Sequence, residues 1–236
     1  MSYSKIDYQK LLRKDVLYEI IATTFTTEND GKLIMPNASC MGIKLNKNGK
    51  IEISPFHTTT TYRNLKENGN VVINFVDDIY LYALAALKAP GSSIKFPLEY
   101  YLYTTLKSKR KKGYRTFPCV KQSWGILIGK IKNEVKLISK DKYGESLRST
   151  FELKIFYSQK YRDSFKYFNR AENLALETIV LATRMKVAKE LNNIELFDTI
   201  YEKIIEYKEN VGRFSNNKDV LKVFDLVSDY ITSLKD

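Results

Sequence analysis

Pro36-Asn37-Ala38-Ser39-Cys40-Met41-Gly42-Ile43, Pro55-Phe56-His57-Thr58-Thr59-Thr60-Thr61-Tyr62-Arg63-Asn64-Leu65 and Val71-Val72-Ile73-Asn74-Phe75-Val76-Asp77-Asp78 are three pieces of one stretch on which the reading of this chain turns. Alternation along a strand puts Ala38, Cys40 and Gly42 on one face and Ser39, Met41 and Ile43 on the other. The first face carries only small side chains. A planar ligand can approach the backbone there and meet its N–H and C=O groups. The competing reading is a crowded barrel interior in which small residues face large ones.

The second piece opens a helix. Thr58 to Thr61 is a run of hydroxyls, and threonine is a natural N-cap. The first N–H groups of a helix lack intrahelical partners and attract anions, phosphate above all. Arg63 and Lys66 are read in the first turns, where the helix dipole opposes cations unless an anion is bound. The competing reading is an ordinary loop with an ordinary N-cap. His57, just ahead of the threonines, can assist a phosphate or a substrate, although a lone loop histidine usually does neither. Asn74 lies in an otherwise apolar strand and needs a partner, either main chain or ligand. Asp77 and Asp78 read as a solvated turn more than as a metal or acid/base pair. A ring-accepting strand followed by a phosphate-accepting helix start suggests a flavin nucleotide.

Outward from this stretch, Val16 to Thr24 and Ala38 to Leu45 read as strands. The hairpin signals Glu28-Asn29-Asp30-Gly31 and Asn46-Lys47-Asn48-Gly49 mark turns. Lys50 to Ser54 is a short alternating strand. Tyr62 to Asn68 is a short helix stopped by Gly69, and Val71 to Val76 is the next strand. Short strands joined by tight turns predict an antiparallel barrel rather than a parallel sheet. Ile79 to Leu87 is compatible with either helix or strand. Lys88 to Ser123 reads as a long excursion holding Pro90-Gly91, three tyrosines at 100, 101 and 103, and a basic run. Trp124 to Ile131 and Thr150 to Tyr157 complete the strands, flanking a polar connection from Lys132 to Ser149.

From Ser164 onward the apolar period becomes helical. Phe168, Leu174, Leu181, Met185 and Leu191 mark one stripe, and Leu196, Ile200 and Ile204 a second. Val220, Val223, Phe224, Val227, Tyr230, Ile231 and Leu234 mark a third. Asn192-Asn193 and Gly212 to Asn217 separate them. The fold class expected is α+β: an antiparallel split β-barrel over residues 1–160, with the excursion at 88–123, then a three-helix segment over 161–236.

Composition narrows the chemistry. The 236 residues contain two cysteines, Cys40 and Cys119, and one histidine. That is too few for a disulfide framework or a zinc site of the usual kind, so no metal is expected. A Cys-His catalytic pair has no local support. No apolar run approaches a membrane span, and Met1 to Lys14 has no apolar region of the signal-peptide type, so a cytoplasmic protein is expected. The net charge of +12 raises nucleic acid or an anionic ligand as a partner. Lys107, Lys109, Arg110, Lys111, Lys112 and Arg115 concentrate part of it in what reads first as a solvated loop.

Several of these segments resemble a known family. Tyr18-Glu19 through Thr23-Thr24, Pro36 to Gly42, Pro55-Phe56 with Thr61 to Leu65, and Val72-Ile73-Asn74 with Asp77-Asp78 look like a prokaryotic, mainly archaeal family catalogued as domain of unknown function 447. Phe168-Asn169-Arg170-Ala171-Glu172 and Ala182-Thr183-Arg184 resemble its helical part. The resemblance implies an FMN-binding split barrel, similar to pyridoxamine phosphate oxidases and flavin reductases, that forms homodimers with FMN in the cleft between subunits. It implies that Ala38, Ser39, Cys40 and Met41 line the ring. It implies that His57, Thr58, Thr60, Thr61 and Arg63 hold the phosphate. Where the family usually has a second Ala-Pro pair, this chain has Ser39-Cys40. Where it has a Lys-Gly-Ser type of turn, this chain has His57-Thr58-Thr59.

The expected function is therefore an FMN-binding protein, a flavin-dependent oxidoreductase or flavin reductase whose small-molecule substrate and electron donor the sequence does not name. Asn74 is expected to hydrogen-bond within the cleft, and the catalytic residues are unassigned, since flavin itself carries redox chemistry. Two alternatives stand beside it. One is a nucleic-acid-binding barrel that uses the basic run and nearby tyrosines. The other is a flavin carrier without turnover.

Overall fold

The computed structural model describes residues 4–12, 14, 17–27, 33–88, 96–107, 113–141, 144–164, 170–214 and 218–235. The chain divides into two compact units. One comprises Met1–Asp77, Phe96–Lys140 and Glu145–Ser164, the other Asp78–Lys95, Asp141–Gly144 and Phe165–Asp236.

The first unit holds strands β1 Leu17–Thr27, β2 Leu33–Leu45, β3 Ile51–Ile53, β4 Asn70–Phe75, β7 Gly125–Asp141 and β8 Gly144–Lys160. They form a closed barrel in the order β1-β2-β3-β8-β7-β4. A separate two-stranded ribbon, β5 Tyr101–Lys107 with β6 Tyr114–Val120, completes its sheets. Inside the barrel, Ile20, Ala22, Ile43, Ile51, Ile73 and Phe151 belong to one buried cluster. A one-turn helix, α1 Tyr8–Leu11, precedes β1, and Leu65, from the next helix, α2 Thr60–Asn68, packs into the same cluster. Phe25, Val72, Ile126 and Ile128 turn the other way and bury against Phe117 and Cys119 of β6. β4 is thus covered on both faces, and all six of its residues are buried. That arrangement decides the fate of Asn74.

Helix α2 is bounded by local chemistry. Thr59 is its N-cap, and the Thr59 hydroxyl accepts a hydrogen bond from the Tyr62 N–H. Gly69 ends it in the left-handed conformation at φ 69°, which a residue without Cβ adopts at low cost. The helix therefore starts at Thr60, earlier than Tyr62 as read from sequence, and this moves Lys66 into the last turn.

The connection expected at Lys132 to Ser149 is instead strand, because β7 and β8 each run 17 residues. Where a strand is solvated on both faces its alternation loses the apolar side that marks it in sequence. Val135 and Ile138 illustrate this, being 51% and 64% exposed.

In the second unit Ile79 to Leu87 resolves as helix α3 Ile79–Ala86, capped by the Asp78 carboxylate, which accepts from the N–H groups of Tyr80 and Leu81. Three long helices follow: α4 Arg170–Glu190, α5 Ile194–Phe214 and α6 Lys218–Lys235. The third predicted stripe is buried along α6 in full. On α4 the buried face differs from the expected one. It runs through Ala171, Ala175, Ile179, Ala182, Met185 and Ala188, whereas Leu191 is exposed. Alanine lets helix axes approach closely, so the small residues rather than the leucines face the helices α4 packs on. The Glu28-Asn29-Asp30-Gly31 turn, Val16, Pro90-Gly91, Lys109 to Lys112, Phe168 and Asn169 lie outside the described residues.

Candidate functional site

The barrel brings the small-faced strand and the hydroxyl-rich helix start together. Ser39 Oγ of β2 lies 2.6 Å from Thr61 Oγ1 of α2. Asn37 Nδ2 donates to Thr61 Oγ1 at 3.3 Å and to Thr24 Oγ1 at 3.4 Å. Asn64 Nδ2 donates to the same Thr24 hydroxyl at 3.2 Å. These bonds join β1, β2 and α2 through side chains that are mostly buried, where each polar group needs a partner. Asn37 and Thr24 were not singled out as site residues from sequence, because ordinary strand positions give no sign that they converge.

Strand β2 separates its faces as alternation requires. Met41 and Ile43 pack with the barrel interior. On the opposite face Ala38 is fully buried. The hydroxyl of Tyr101, on β5, hydrogen-bonds the Ala38 main chain. Burial, the larger effect, pushes that phenol well above its ordinary value. A Cβ on Gly42 would meet Leu17 Cδ1 at 2.7 Å, so that end of the small face is also occupied. Cys40 stands between them, half-buried.

At the start of α2 the Thr59 hydroxyl donates to Phe56 O at 2.8 Å and accepts from the Tyr62 N–H at 3.2 Å. This leaves the N–H groups of Thr60 and Thr61 with no acceptor among the described residues. Thr61 is 2% exposed, so water has little access to it. Thr58 and Thr60 are exposed, and Arg63 Nη2 donates to Thr60 Oγ1 at 3.1 Å. Two main-chain donors, exposed hydroxyls and one guanidinium therefore gather at one helix end, a donor set that suits a phosphate.

Lys66 does not belong to that set. It occupies the last turn of α2, where a cation is favoured, and its Nζ pairs with Glu134 Oε2 at 2.6 Å. This corrects the expectation that it opposes the dipole. Glu134 in turn accepts from Ser149 Oγ at 2.7 Å. Ser149 Oγ lies 2.8 Å from His57 Nε2, and the His57 ring stacks on Tyr62 with centroids 4.2 Å apart. Lys66, Glu134, Ser149 and His57 thus form one relay ending beside the threonine run. Its two middle members sit in the stretch read from sequence as a polar connection, which is why they were missed.

Asn74 is fully buried and bonds to none of the described residues at the helix start. Its Nδ2 donates to Ile21 O at 2.9 Å and lies near Thr23 Oγ1 and Val72 O. Its Oδ1 accepts from the Val120 N–H at 2.8 Å. Of the two kinds of partner its position demands, main chain supplies the requirement, and the amide ties β1 and β4 to β6. Asp77 forms a bidentate pair with Arg162 at 2.6 and 2.8 Å and accepts from Ser164 Oγ at 2.9 Å. Asp78 is the α3 cap. Cys119 is fully buried, and burial pushes its thiol up to about 11, far from a reactive thiolate. No group of metal-ligating side chains occurs among the described residues. Nor, among them, is any helix long and apolar enough to cross a membrane.

The fold defines a class, the closed antiparallel barrel with an appended strand pair and C-terminal helices. The chain belongs to the family described as protein of unknown function (DUF447), whose N-terminal domain matches residues 18–160. Among solved structures it is similar to an FMN-bound protein of the same family from Methanosarcina mazei. The two share 19% identity, cover 93% of this chain and 96% of that one, and superpose with a TM-score of 0.70. Weaker likenesses include flavin reductase HpaC complexed with NADP+, at 16% identity, 69% and 92% coverage and a TM-score of 0.43. Another is nitrilotriacetate monooxygenase component B from Bacillus cereus, at 16% identity, 72% and 83% coverage and a TM-score of 0.41. A search of curated proteins found no match.

Proposed function

We propose that this chain binds FMN and serves as a flavin-dependent oxidoreductase acting on a small molecule, in the cytoplasm, as a homodimer with the cofactor between subunits. The observation that carries the reading is the donor set at the start of α2, bonded through Ser39 and Thr61 to the strand beside it. The FMN-bound relative from Methanosarcina mazei, alike in fold along nearly the whole chain, supports the choice of ligand.

In this reading the N–H groups of Thr60 and Thr61, the hydroxyls of Thr58 and Thr60, and Arg63 hold the phosphate. Ala38, Ser39, Cys40 and Met41 border the ring, with Cys40 half-buried on the small face. His57 stands at the phosphate end, fixed by Ser149 and Tyr62. Bound flavin supplies hydride and electron transfer, and the protein supplies binding, orientation and exclusion of water. The Thr61 hydroxyl is engaged by Ser39 and Asn37, so its contribution is the main-chain donor.

The test is direct. Purified protein incubated with FMN and passed through a desalting column retains the visible absorbance of oxidised flavin. A colourless eluate overturns the reading. Turnover of the bound flavin with a reduced nicotinamide donor separates an oxidoreductase from a carrier.

A further inference from the structure

A cavity of about 620 Å³ opens between the β5–β6 ribbon and the outer face of β4, β7 and β8. That lies within the range of small-molecule sites, about 300–1,000 Å³. None of the residues read above as flavin-binding lines it. Two properties set it apart from a packing fault.

The first is charge. Lys107, Arg115, Lys130, Lys132 and Lys154 line it, and no acidic residue does. No carboxylate among the described residues pairs with any of the five. Cations gathered without counter-charges repel one another and concentrate an anion between them. The second is an aromatic wall. Phe156 lines the cavity 49% exposed, with its ring centroid 5.9 Å from that of buried Phe117, and Tyr157 lies alongside. A half-exposed phenylalanine ring offers a flat apolar face on which another ring can stack.

An anion and a flat ring occur together in a nucleotide. We infer that this cavity is a second nucleotide site, its cations holding the phosphates and Phe156 covering the base. The inference does not depend on flavin binding at α2.

Calorimetric titration of ADP into the FMN-saturated protein, with pyrophosphate and a single-stranded oligonucleotide in parallel, tests it. ADP is expected to bind with a Kd tighter than about 1 mM, without releasing FMN. Phe156→Ala is expected to weaken it about tenfold through lost stacking, and Lys154→Glu to weaken ADP and pyrophosphate alike. Both positions are exposed, and circular dichroism checks that the variants fold. Absence of saturable ADP binding overturns the inference. Pyrophosphate binding as tightly as ADP overturns it in favour of a bare anion site. Oligonucleotide binding that ADP cannot compete overturns it in favour of a nucleic-acid surface, and release of FMN by ADP shows that the cavity is not a second site. A protein that binds ADP but no FMN leaves this inference standing and removes the flavin reading.

Discussion

Ser39 Oγ on β2 and Thr61 Oγ1 in the first turn of α2 stand 2.6 Å apart. This bond fixes the distance between the strand proposed to border the ring and the helix end proposed to hold the phosphate. Thr61→Val removes the shared hydroxyl and leaves Ser39 and Asn37 short of a partner, at a cost of about 1–2 kcal/mol. Because the two residues touch, Ser39→Ala and Thr61→Val are expected to be non-additive by at least about 0.5 kcal/mol in denaturant unfolding. Strict additivity would show that the bond contributes nothing.

Asn74 is a latch within the barrel. Asn74→Ala strands the buried Val120 N–H and loses the bond to Ile21 O, so stability is expected to fall by about 2–3 kcal/mol. The measurement is the shift in urea midpoint at constant slope. A variant as stable as the parent would contradict the role assigned to the amide.

The His57 relay makes a prediction about a proton. Ser149 has one hydroxyl hydrogen and donates it to Glu134, so His57 Nε2 must donate to Ser149 Oγ. The chain has one histidine, so its nitrogen resonances are unambiguous. Nitrogen-15 NMR is expected to show the neutral ring carrying its proton at Nε2. A ring protonated at Nδ1 would break the relay.

Asp77 links pH to stability. The hydrogen bond from Arg162, helped by Ser164 and opposed by burial, holds its carboxyl below the ordinary 3.8. A depressed carboxylate contributes stability above its unfolded value, and that contribution disappears as pH falls through the lower folded value. Arg162→Gln is therefore expected to be less stable than the parent at neutral pH. The gap should narrow as the solution is acidified below 3.8, followed by thermal melts across pH. A gap that stays constant with pH would show that the pair does not titrate as described.

Much of this was legible in the sequence because the signals were local. Thr59 and Gly69 bound α2 through capping chemistry that depends on neighbours a few positions away, and the apolar stripe of α6 follows its own period. What was not legible depends on partners far along the chain. Lys66 reads as a cation at a helix start until the helix is known to begin at Thr60 and Glu134 is known to lie opposite. The hairpin of β7 and β8 hides because both of its outer faces are wet. The buried face of α4 is alanine, which carries little weight in a hydrophobic pattern yet decides how closely helices meet. Asn74 announces that it needs a partner but not which one. Its answer, the Val120 N–H, comes from a ribbon strand 46 positions away.

The central claim is that the start of α2 holds the phosphate of FMN. Fluorescence titration with FMN and with riboflavin, in the parent and in Arg63→Ala, isolates that phosphate. FMN fluorescence is expected to saturate on binding, riboflavin to bind at least about tenfold more weakly, and Arg63→Ala to narrow the difference by weakening FMN alone. Equal affinity for FMN and riboflavin, unchanged in Arg63→Ala, would contradict it.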